Sequence, residues 1–125
     1  MTQEQLDALV VKWQKILRLQ DWNIKAKVRL PTKERTAEIY VYQTSKEAEL
    51  YIISQDAFEN RVTTFIDGYT PEKDTVHELL ELLFSDIRKE HDENYTDNRW
   101  EQVINILAGV LLKYENDRKL NPDKQ

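Results

Sequence analysis

The chain has 125 residues, 40% hydrophobic and 33% charged, with a formal net charge of -5 at pH 7 and no cysteine. That length suits one domain able to bury about 65% of its unfolded surface. The acidic balance argues against nucleic acid, whose binders carry a basic face, and the missing thiols exclude disulfides and thiolate metal ligands. Residues Met1 to Gln5 are neither basic nor apolar, so no secretion signal is expected there. No apolar run approaches the ~20 residues that cross a bilayer. A cytoplasmic protein without a membrane or nucleic-acid partner is the expectation.

Thr2-Gln3-Glu4-Gln5 has the form of a capping box, and Leu6, Leu9, Val10, Trp13, Ile16 and Leu17 follow as one apolar stripe. A first helix is therefore predicted over about 3–19. Trp22, Ile24, Ala26, Val28 and Leu30 alternate with polar residues, the period-two signal of a half-buried strand ended by Pro31. Residues 37–42 and 48–53 read as two further strands, and the short connections favour an antiparallel meander. Lys25, Lys27 and Arg29 are expected to face Glu38 and Glu49 across the sheet as opposite-charge pairs, rather than form a basic recognition strip. Tyr40, Tyr42 and Tyr51 are expected as solvent-tolerant aromatics on the outer face.

Residues 55–69 lack sustained periodicity and predict a loop with a short helical turn and a tight turn at Asp67-Gly68. Thr70-Pro71 supplies an N-cap and a first-turn proline for a second helix running to about residue 90. Val76, Leu79, Leu80, Leu83 and Ile87 form its core-facing seam. His91 opens a polar, acidic connection and is expected to be solvated. A third helix follows, with Trp100, Val103, Ile104, Leu107, Val110, Leu111 and Tyr114 on one face, and residues 116–125 are expected to fray. The predicted fold class is α+β: a three-stranded antiparallel sheet packed on three helices, in a single domain, with room for a fourth edge segment from 55–69.

The second helix carries the candidate chemistry. His77 and Glu81 are four residues apart, one above the other on the shoulder of the seam, and Glu78 lies farther round. The motif His-Glu-x-x-Glu differs at one position from the His-Glu-x-x-His signature of zinc hydrolases. Such an enzyme needs three protein ligands, an open position for water and a carboxylate to take the water's proton. His77, Glu81 and Glu101 are the candidate ligands and Glu78 the candidate base. The same residues also admit a plainer reading. His77 and Glu81 would then be an ion pair at the core edge, Glu101 a helix-capping residue behind Asn98, and Glu78 an exposed glutamate.

Several stretches together carry a family resemblance: Leu19-Gln20-Asp21-Trp22-Asn23-Ile24, Asp56-Ala57-Phe58-Glu59-Asn60, Thr75-Val76-His77-Glu78-Leu79-Leu80 and Glu101-Gln102-Val103-Ile104-Asn105-Ile106-Leu107-Ala108. In this order, over roughly residues 5–115, the chain resembles the small zincin-like metallopeptidases of bacteriophages and prophages. The resemblance implies a minimal zincin-like fold and a zinc ion held by two histidines and a glutamate of the following helix. Residue by residue, His77 matches the first ligand, Glu78 the base and Glu101 the third ligand. Glu81 stands where the second histidine belongs. A carboxylate there can still ligate, but added anionic charge makes the ion a poorer Lewis acid, and oxygen ligands shift preference from zinc toward manganese, magnesium or calcium. The expectation is a degenerate, metal-binding relative with weak or lost peptide hydrolysis, acting in the host cytoplasm. The competing expectation is an acidic, non-enzymatic module that binds and modulates a host protein.

Overall fold

Thr2 starts the first helix, α1 (Gln3–Ile16), through a complete capping box. Its hydroxyl accepts from the Gln5 amide at 3.1 Å, and the Gln5 side chain accepts from the Thr2 amide at 2.8 Å. The computed structural model describes residues 1–29, 36–54, 70–91 and 97–120, without the side chains of 86–91 and 97–98. The helix stops three residues before the predicted end. The Leu19 amide donates to the Gln14 carbonyl at 2.7 Å and the Arg18 amide to Lys15 at 3.3 Å, with Arg18 at φ 57°. This is a Schellman stop with arginine where glycine is usual. It turns Leu19 inward, where it is buried.

Three strands follow: β1 (Asn23–Val28), β2 (Ala37–Tyr42) and β3 (Glu47–Ile52). Their order is β1-β3-β2, with β3 antiparallel to β2 and parallel to β1. The expected antiparallel meander is therefore corrected to a mixed sheet. The reason lies in how much each strand must bury. Ala48, Leu50, Tyr51 and Ile52 of β3 are all buried, so β3 takes the centre, where both hydrogen-bonding edges are satisfied. β1 presents Lys25 and Lys27, residues that suit a sheet edge. Lys25 does sit opposite Glu49, but Glu38 sits opposite Tyr51, with β3 separating it from β1. Arg29 instead stacks 3.4 Å above the Tyr51 ring, which is buried, contrary to its expected place on a solvated face.

Two long helices complete the fold: α2 (Pro71–His91) and α3 (Asp97–Leu120). The inner face of the sheet meets α1 and α2, and α3 packs on α2 from the other side. One apolar cluster joins Trp13, Ala48, Leu79 and Leu82 with Ile104 and Ala108 of α3. A second joins Leu6 and Val10 of α1 with Leu50 and Ile52. Three sequence expectations change here. On α2, Leu82 is buried and Leu83 is exposed. On α3, Ile104 and Ala108 are buried but Val103, Val110 and Tyr114 face outward, because their spacing places them on the side of the helix turned away from Ala108. The expected fraying from 116 gives way to helix through Leu120, with Arg118 bridging to Glu115 at 2.7 and 3.0 Å. The turns expected in 55–69, a fourth edge segment from that region and the side chains of Ile87 and His91 lie outside the described residues. Among the described residues no helix is long and apolar enough to cross a membrane.

Candidate metal centre

The seam of α2 fixes where its polar residues point. With Val76, Leu79 and Leu80 driven into the core, His77, Glu78 and Glu81 are left on the flank that faces α3. Buried Ile104 and the small, buried Ala108 bring α3 against that flank. Glu101 and Asn105, four residues apart on α3, thus reach the same imidazole.

His77 Nε2 lies 3.0 Å from Glu101 Oε2 and 3.6 Å from Glu81 Oε1. On the other edge of the ring, Nδ1 lies 2.9 Å from Asn105 Oδ1. An amide oxygen only accepts, so Nδ1 carries the hydrogen and donates to Asn105. The lone pair of a neutral ring is then on Nε2, facing the carboxylates. His77, Glu78 and Glu81 each offer a ligand atom, and these atoms lie within 4.8 Å of one another. All four residues singled out in the sequence are brought together. Asn105 was not singled out. Its signal was the four-residue step from Glu101, which is uninformative until α3 is known to face His77.

Comparison of the chain with protein-family models, curated proteins and solved structures finds no match.

The electrostatics of the cluster follow from crowding carboxylates in a half-dry site. Glu78 is 7% exposed, and its Oε2 is buried with no hydrogen-bond partner. Burial, then the negative charges of Glu81, Glu101 and Asp74, raise its carboxyl well above the usual 4.5. The plainer alternative, that Glu78 is an ordinary exposed glutamate, is therefore overturned. Burial also disfavours charge on Glu81, but hydrogen bonds with His77, Glu101 and Glu78 outweigh it and hold that carboxyl at about 2. For His77 burial likewise opposes charge, yet Glu81 and Glu101 prevail and raise the imidazole above 6.5. Both shifts favour keeping protons on His77 and Glu78, positive charge that a divalent cation beside them would replace.

The donor set of imidazole and carboxylate oxygens fits a divalent metal ion, and the unsatisfied oxygen of Glu78 is the specific reason to consider one. A buried acceptor left without a partner costs about 1–3 kcal/mol, and an ordered water, a proton or a cation beside it would recover that.

Proposed function

We propose that the chain is a degenerate zincin-like protein, related to metal-dependent peptidases, that binds a divalent ion through His77, Glu81 and Glu101. The observation that carries this reading is Glu78 Oε2, a buried carboxylate oxygen without a partner, beside a histidine whose Nε2 is turned toward two further carboxylates. An ion bound there would polarise a substrate carbonyl and make a water more acidic. The residues of the chain divide the remaining work. His77 ligates through Nε2 while Asn105 holds its ring, and Glu81 and Glu101 supply oxygen donors. Glu78 takes the proton of the attacking water, because positive charge nearby restores its ionised form. A carboxylate at position 81 weakens Lewis acidity, so slow or absent peptide hydrolysis is expected, with manganese or another oxygen-preferring ion competing with zinc.

Calorimetric titration with Mn²⁺ and Zn²⁺ in buffers of different ionisation enthalpy tests the reading. Binding should release protons, more at pH 6 than at pH 8, since metal ligation displaces the protons that the raised His77 and Glu78 retain. It should be lost in His77→Ala. No uptake of either ion by the folded protein would end the proposal. If a biological effect on a host protein is found, its survival in His77→Ala would favour the acidic interaction module instead.

A further inference from the structure

α3 is apolar on two sides, and only one of them is covered among the described residues. Ile104 and Ala108 are fully buried, whereas Val103, Ile106, Val110 and Tyr114 are 41%, 66%, 59% and 66% exposed. Steps of three and four residues align these four into a second stripe along the helix. A surface helix normally buries one stripe and solvates the rest, so a second stripe asks for a second neighbour. Its ends are oppositely charged. Arg99 and Asp117 are both exposed and lie five helical turns apart, in phase with Ile106 and Val110. Neither forms an ion pair or hydrogen bond among the described residues.

We propose that this face binds a second copy of the chain, the two α3 helices packing antiparallel about a two-fold axis level with Ala108. The charge pattern selects that partner. In such a pair, residues equidistant from the axis lie opposite one another. Arg99 of one copy then meets Asp117 of the other at both ends, and Ile106 meets Val110 at the centre. Val103 lies against the aliphatic stem of Lys113, and Gln102 meets Tyr114. No opposition sets like charges together, which a face built for an unrelated partner has no reason to satisfy. Gly109 borders the stripe, and among the described residues a Cβ there would meet nothing within 4 Å. Glycine inside a helix costs about 1 kcal/mol, and close approach of a second helix supplies a use for it that the monomer does not. The metal-site residues Glu101 and Asn105 are not among the opposed positions, so dimerisation and metal binding are separable.

Sedimentation equilibrium of the full chain at low salt tests the proposal. The expected result is a monomer–dimer equilibrium. Arg99→Asp places like charges opposite each other at both ends and should weaken it about tenfold. Adding Asp117→Arg restores opposite charges and should restore association, while Ile106→Lys should abolish it. All three substitutions are at exposed positions and should leave the monomer fold intact, checked by circular dichroism. A chain that stays monomeric up to about 1 mM would overturn the proposal. So would a dimer indifferent to Arg99→Asp, or one that the double charge swap fails to rescue.

Discussion

Asn105 Oδ1 receives the Nδ1 hydrogen of His77 at 2.9 Å, which leaves Nε2 turned to Glu101 and Glu81. The contact crosses from α3 to α2, so it also ties the orientation of the ring to the packing of two helices. A ligating histidine whose other nitrogen is held in this way loses less freedom on binding an ion. Asn105→Ala should weaken metal affinity about 10–100-fold, the usual effect of removing such an outer partner. Asn105 is exposed, so stability should change by less than about 0.5 kcal/mol. Asn105→Asp retains an acceptor and should recover most of the affinity. Titration against a chelating dye reads the difference.

Glu81→His would install the second imidazole of the His-Glu-x-x-His pattern at the position one turn from His77. Exchanging an oxygen donor for nitrogen removes a negative charge and favours zinc over manganese. Zinc affinity should rise relative to manganese by about tenfold or more. Any hydrolysis of a peptide library should increase, and adding Glu78→Gln should remove it. An unchanged metal preference would show that Glu81 is not a ligand.

Glu78 and Glu81 act on stability in opposite directions with pH. A carboxyl raised on folding binds more protons in the native state, so Glu78 costs stability as pH climbs above 4.5 toward its raised value. Glu81, held at about 2, stabilises above 4.5, and that contribution is lost as pH falls toward 2. Glu78→Gln should therefore stabilise the metal-free protein at pH 8 by about 1–3 kcal/mol, because the amide is uncharged and can donate to the neighbouring carboxylates where Glu78 could only accept. At pH 4 the gain should nearly vanish, because Glu78 is already protonated. Urea unfolding at the two pH values measures both. A gain from removing a buried acid is what a residue kept for function would show.

Arg18 ends α1 in the left-handed region at φ 57°, where a side chain costs roughly 1–2 kcal/mol. Arg18→Gly should stabilise the fold by about 0.5–1 kcal/mol, less than that cost because glycine also loosens the unfolded chain. Thermal unfolding would register this as a rise of a few degrees.

Helix and strand were legible from sequence alone wherever the signal was local. The Thr2 capping box, the alternation from Ile24 to Val28 and the Thr70-Pro71 start each reappear in the fold, because hydrogen bonding and burial period act within a few residues. His77, Glu78, Glu81 and Glu101 were legible as a candidate set for the same reason, three of them sharing one helix. Packing alone decided the rest. The place of β3 between β1 and β2 depends on which strand gains most from having both edges paired, a comparison across the whole chain. The outward stripe of α3 was hidden because apolar residues on both sides of a helix read as one dense pattern until one side is covered. Asn105 gained its meaning, and Glu78 its burial, only when α3 closed over α2, since a neutral amide or a lone glutamate carries no message without the group it faces.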